Sequence, residues 1–160
     1  MIDQPTSSQI LADIRERGIP LPPSIKAQGL YDLVVVEGNL AFVSGQLPRL
    51  DDDGALISGR LRAEDGIALA RAAAELCFAR SLLALDQVIG DLSRIKRIIS
   101  IRGFVNADPD FTRHGSVIDA ASALAIDLFG DAGRHVRTSL AAGGLPANAL
   151  VEIELTVTLV

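Results

Sequence analysis

From residue 149 to 159 the odd positions are Ala149, Val151, Ile153, Leu155, Val157 and Leu159, all apolar, and between them fall Glu152, Glu154, Thr156 and Thr158. Side chains in a strand alternate between two faces, so this run predicts a half-buried β-strand. Two further β-rich runs, Tyr31 to Glu37 and Leu40 to Gln46, flank Gly38-Asn39, a pair suited to the positive φ of a tight hairpin turn. Residues 95–106 read as another strand, and 136–142 as one that pairs with the last through a Gly143-Gly144-Leu145-Pro146 turn.

Helical spacing appears in three places. Residues 7–17 predict a short amphipathic helix on Ile10, Leu11 and Ile14, capped by Ser7 or Ser8 and stopped by Gly18. The next stretch, Ile19 to Pro23, holds three prolines and reads as an extended linker, so residues 1–25 are expected to be an appendage to a core domain at 26–160. Residues 63–89 predict a long helix with Ile67, Ala70, Ala74, Cys77, Phe78 and Leu85 on its buried side and Gly90 at its end. A second, at 109–129, starts on Asp108 as cap and Pro109 as first helical residue, buries Phe111, Val117, Ile118, Ala121, Leu124 and Leu128, and stops at Gly130. Asp51-Asp52-Asp53-Gly54 lies between these segments as a polar turn.

The order is then strand, strand, helix, strand, helix, strand, strand after the first short helix. Right-handed crossovers put both long helices on one face of a mixed sheet, an α+β fold. The other face stays uncovered and carries Ser100, Arg102 and Phe104, a semi-polar surface that invites association between copies.

Composition narrows the function classes. Fifteen basic residues stand against 20 acidic in 160, a net charge of −5, which argues against nucleic-acid binding by broad phosphate neutralisation. Five Phe, one Tyr and no Trp make a poor base-stacking platform. The single Cys77, between Leu76 and Phe78, excludes an internal disulfide framework and reads as a buried thiol. No apolar run is long enough to span a bilayer, and Met1-Ile2-Asp3-Gln4 lacks the basic head of a secretory signal, so a soluble cytoplasmic domain is expected. No glycine-rich nucleotide fingerprint, calcium loop or metal-ligand spacing is present, and His114 and His135 stand isolated.

The candidate chemistry sits on the last two predicted strands. Arg137 and Ser139 share one face of theirs, and Glu152 and Glu154 the polar face of the other. An antiparallel pairing sets Ser139 opposite Glu152 and Arg137 opposite Glu154 on the uncovered face. There the Arg fork suits capture of a carboxylate, and a carboxylate beside it suits activation of a water; a plain interfacial salt bridge fits the same spacing. Tyr31, the only Tyr, is either a ligand-binding phenol or an edge-strand packing residue.

Four stretches resemble the Rid family (reactive intermediate deaminase, also called YjgF or L-PSP-type): Gly29-Leu30-Tyr31; Gly38 to Pro48, containing Ser44-Gly45-Gln46-Leu47-Pro48; Gly103-Phe104-Val105-Asn106; and Arg137-Thr138-Ser139 through Leu145-Pro146 to Val151-Glu152-Ile153-Glu154. The resemblance covers roughly residues 25–160. It implies a chorismate-mutase-like fold of the bacillus type, a homotrimer with clefts between subunits, no cofactor, and hydrolysis of 2-imino or 2-enamino acids to 2-keto acids and ammonia. By the same resemblance Arg137 clamps the substrate carboxylate and Glu152 aligns the attacking water. Tyr31, Gly45, Phe104 and Ser139 line the substrate. Ser139 stands where deaminases of the family often carry Cys, Gly144 replaces a frequent basic residue, and residues 49–61 are an insertion. These departures keep open a non-catalytic trimer that binds a small carboxylate metabolite or a protein partner. An endoribonuclease, also attached to the family by name, fits poorly with the acidic balance.

Overall fold

The computed structural model describes residues 4–51 and 53–160. Met1 to Asp3, on which the expectation about a leader rests, and Asp52 of the polar turn lie outside the described residues. Five strands form one sheet: β1 (Val34–Glu37), β2 (Leu40–Gln46), β3 (Ile95–Asn106), β4 (Val136–Ala142) and β5 (Val151–Leu159), in the order β1-β2-β5-β3-β4. The helices are α1 (Ser7–Glu16), α2 (Ile67–Ile89) and α3 (His114–Phe129). Both long helices cover the same face, as the connection rule requires.

β5 alternates buried and half-buried residues along its whole length, so Ile153, Leu155 and Val157 meet the helices while Glu152, Glu154 and Thr156 face away. On β3 the helix side carries Ile98, Ile101, Gly103 and Val105; the open side carries Ser100, Arg102 and Phe104. The hairpin turns at Gly38, whose φ of 60° is left-handed, while Asn39 does not share it. The first strand begins at Val34 rather than Tyr31, because residues 28–33 form a series of bends pinned by Ser44, whose Oγ donates to the Asp32 carbonyl at 2.6 Å.

Three expectations need correction. The strand at 136–142 does not pair with the last strand. It runs parallel to β3, with Arg137 opposite Ile101 and Ser139 opposite Gly103, and β5 is inserted between β2 and β3. The helix at 109–129 begins at His114, with Arg113 at its cap position and no side-chain cap. Asp108-Pro109-Asp110-Phe111 is a turn, closed by Phe111 N–H donating to the Asp108 carbonyl at 3.0 Å; Asp then Pro suits positions one and two of a type I turn as well as a helix start. The Asp108 carboxylate is held by Arg60 at 2.6 Å instead of capping. Finally, Thr6 rather than Ser7 or Ser8 caps α1, in a reciprocal capping box with Gln9.

Ser7 instead ties α1 to the end of α2. Its Oγ donates to Asp86 and accepts from Leu92 N–H at 2.7 Å, and its N–H donates to Asp91. Two backbone amides thus hold the Asp91 carboxyl below its usual range, those of Ser93 and Ser7. Ile10, Ile14, Ile19, Leu21 and Ile25 belong to the main hydrophobic core, and the Gln87 amide clamps the Ile25 backbone through two 2.8 Å bonds. α2 is consequently buried on nearly every side. Cys77 lies at its centre, where burial pushes the thiol well up. Among the described residues no helix is long and apolar enough to cross a membrane.

Candidate active site

A groove of about 580 Å³ opens between β2, the start of β5 and the segment before β1. It brings together Tyr31, Gly45 and Glu152, three of the residues singled out in the sequence. Glu152 is half-buried and among the described residues has no ion-pair partner. Burial, and then the neighbouring Glu154, pushes its carboxyl above the ordinary range. Glu154 itself is engaged by Arg102 at 3.0 Å. A Cβ on Gly45 would collide with Glu152 Oε1, so the glycine is what gives this carboxylate room. Tyr31 Oη accepts from Gln28 N–H at 3.3 Å, which folds the bends against the groove mouth.

Phe104 stands directly opposite Glu152 across β3 and β5, on the open face, under the Arg102 guanidinium at 5.9 Å. It does not reach into the groove of its own chain.

Arg137 and Ser139 are elsewhere. Parallel pairing with β3 puts them on the helix side of the sheet, so Arg137 and Glu152 occupy opposite faces and the anticipated Arg137–Glu154 and Ser139–Glu152 pairs do not form. Arg137 Nη1 donates to Asp119 Oδ1 at 2.6 Å and to Ser122 Oγ at 3.1 Å, both on α3. The Ser122 hydroxyl lies 2.9 Å from His135 Nε2, and His135 Nδ1 lies 2.7 Å from the Gly133 carbonyl. A carbonyl can only accept, so Nδ1 carries a proton and donates it to Gly133. The result is a chain of donors and acceptors that fixes Arg137 at the outer edge of the sheet. Among the described residues, Ser139 Oγ, buried beside it, has no hydrogen-bond partner.

Lys26, Arg49 and Arg80 also line the groove, and sequence reasoning did not single them out. Arg80 offered a signal: it is one cation inside the apolar run Cys77 to Leu83. It is buried, and its Nη1 donates to the Arg49 carbonyl at 3.2 Å. No group of three or more His, Cys, Asp and Glu that would hold a metal occurs among the described residues.

An uncovered mixed sheet backed by two helices packed side by side, with a carboxylate in a groove at its edge, defines a chorismate-mutase-like α+β protein. The family model described as "YjgF/chorismate mutase-like, putative endoribonuclease" matches residues 12–159, and the chain belongs to that family. Among curated proteins it is 34% identical to Protein TCP17 of Trypanosoma cruzi over 96% of both chains. The solved structure of Atu1372 from Agrobacterium tumefaciens, described as of unknown function, shares 37% identity and a TM-score of 0.83 over 94% of both chains. That of a "putative endoribonuclease" from Shewanella oneidensis shares 30% identity and a TM-score of 0.83, over 94% of this chain and 99% of the other. The YjgF gene product of E. coli, at 18% identity and TM-score 0.61, shares the fold over 84% of this chain and 92% of its own.

Proposed function

We propose that the protein hydrolyses 2-imino or 2-enamino acids to 2-keto acids and ammonia, in clefts between the subunits of a homotrimer. The observation that carries this reading is Glu152: a half-buried carboxylate without an ion-pair partner, its pKa raised, kept clear by Gly45 on the wall of a groove. Such a group is a stronger base than an ordinary carboxylate and stands where it can take a proton from water. Water attacks the imine carbon as Glu152 accepts its proton and passes it to the nitrogen, giving a carbinolamine. Glu152 then takes the hydroxyl proton and delivers it to the amine as the C–N bond breaks, so the hydroxyl oxygen becomes the keto carbonyl and ammonia leaves.

The carboxylate clamp, Arg137, cannot come from the same chain, because the sheet separates it from Glu152. A neighbouring subunit supplies it. The surfaces that would meet are in keeping with this. Val35 and Phe42 at one end of the open face, and Val136 and Leu140 at the other, are exposed apolar residues, and among the described residues nothing pairs with the outer edge of β4. Such surfaces are normally covered. The buried, unpartnered Ser139 hydroxyl beside Arg137 is consistent with a group that finds its partner in the assembled cleft.

One observation favours a second reading, a trimer that binds small carboxylates without chemistry: Arg137 is already partly neutralised by Asp119 at 2.6 Å. The two readings separate in one experiment. Imine released by a pyridoxal-phosphate dehydratase is supplied to the wild type and to Arg137→Ala, and keto-acid formation is followed with size-exclusion analysis of both. Turnover in the wild type, lost in a variant that is still trimeric, supports the deaminase. A wild-type rate equal to spontaneous hydrolysis sinks it.

A further inference from the structure

The groove that holds Glu152 also holds three cationic side chains, Lys26, Arg49 and Arg80, against two carboxylates, Glu152 and Glu154. Glu154 is compensated by Arg102 on the open face. Arg80 is anchored on the Arg49 carbonyl and so fixes where the Arg49 backbone sits. Among the described residues neither Lys26 nor Arg49 forms an ion pair, although Arg49 is half-buried. The chain as a whole is acidic, with a net charge of −5, so two cations, Lys26 and Arg49, set beside Glu152 in a concave site are a departure that calls for an anion.

We propose that Arg49 and Lys26 bind a second anionic group of the substrate, which makes the preferred substrates 2-imino acids whose own side chain ends in a carboxylate. The inference rests on the deaminase reading of the same groove. Under that reading Arg137 of a neighbouring chain takes the carboxylate next to the imine. A substrate with only that carboxylate would leave the Arg49 guanidinium in a partly desolvated site without a counter-charge, which is unfavourable. A distal carboxylate removes that cost, and the planar guanidinium receives it through two parallel hydrogen bonds. A groove of about 580 Å³ accommodates an aspartate- or glutamate-sized dicarboxylate. Glu152 sits against Gly45 within β2, whereas Arg49 follows the end of that strand, so the two groups enter the groove at different positions along it.

The test measures binding of keto-acid products, which needs no turnover. The full-length protein is titrated calorimetrically with 2-oxoglutarate and with 2-oxobutyrate, alongside Arg49→Gln and Lys26→Gln, each checked by circular dichroism. The wild type is expected to bind 2-oxoglutarate about tenfold or more tighter than 2-oxobutyrate, one charge-assisted contact's worth. Arg49→Gln is expected to bring that ratio below about threefold, and Lys26→Gln to reduce it in part. Should Arg49→Gln fail to fold, Lys26→Gln, at an exposed position, and Arg49→Lys still decide the matter. Equal wild-type affinities overturn the proposal, as does binding of neither acid or a preference that survives both substitutions. So does an equal loss of both acids in Arg49→Gln, which would make Arg49 the only carboxylate clamp. Turnover of 2-iminobutyrate, measured in parallel, scores the deaminase reading separately: selective binding without turnover sinks that reading alone, and turnover without selectivity sinks this one alone.

Discussion

Gly45 and Glu152 are complementary: the side chain that residue 45 lacks is the space that Glu152 Oε1 occupies. The backbone at Gly45 is not left-handed, so conformation does not call for glycine there; the carboxylate does. Gly45→Ala is therefore expected to leave the fold within about 1 kcal/mol of wild type, because the displaced atom is the end of a flexible side chain. Hydrolysis of 2-iminobutyrate should fall about tenfold or more as Glu152 swings out of line. Initial rates beside a thermal melt check this, and an unchanged rate would remove Glu152 from the reaction.

Glu152→Gln separates stability from activity. The folded-state pKa of Glu152 lies above its unfolded value, so its contribution to stability is fully present below the unfolded pKa and is lost as pH rises through the folded one. Gln carries no charge and avoids that penalty. The variant should match wild type near pH 4 and exceed it slightly at pH 7, by about 1 kcal/mol or less because the half-exposed group is screened. Wild-type turnover should rise with pH through a pKa above the ordinary carboxylate range, and the Gln variant should lack that limb. Melts at both pH values and a rate profile measure the two effects independently.

The strands and the long α2 helix were readable because each rests on a local period: the alternation of Val151 to Leu159, the turn at Gly38, the apolar run ended by Gly90. Which strands become neighbours is a non-local question. The connection after Ala142 is long enough for β5 to leave β4 and enter the sheet between β2 and β3, and no local signal records that choice. The same gap puts Arg137 on the other face from Glu152, although both stand out as residues. Asp108-Pro109 misleads for another reason: one dipeptide starts a helix or a type I turn equally well, and the Arg60 contact that decides it lies far away in sequence. Lys26 and Arg49 escape a sequence reading because their significance exists only once the segment before β1 and the segment after β2 meet at the groove.

The Arg137–Asp119 pair predicts how accessible the proposed carboxylate clamp is. Asp119 is exposed and takes Nη1, leaving the other nitrogens of the guanidinium for a ligand. In Asp119→Asn the local positive charge increases while the amide oxygen keeps a hydrogen bond to Nη1. Stability should drop by less than about 1 kcal/mol, as for partly exposed ion pairs. Affinity for 2-oxobutyrate should rise about threefold. Calorimetry on the variant reads this directly, and a weaker affinity would show that Asp119 orients the guanidinium more than it competes for it.

At Gly103 the sheet and α3 lie too close together for a side chain. It lies on β3 opposite Ile153 and Ser139, on the helix side, and a Cβ there would stand 2.5 Å from Ile118 Cδ1 and Cγ1. Ile118 is fully buried, with core on every side, so it cannot turn away cheaply. Gly103→Ala should cost about 1–3 kcal/mol by overpacking and lower the melting temperature by several degrees. Ile118→Val removes the Cδ1 atom, so the double variant should recover part of that loss, and a double-mutant cycle isolates the clash. Because Asp119 follows Ile118 on α3, lifting the helix also shifts the support of Arg137. Gly103→Ala should therefore weaken 2-oxobutyrate binding, and the Ile118→Val change should restore it together with stability. Recovery of stability without recovery of binding would show that α3 does not position Arg137.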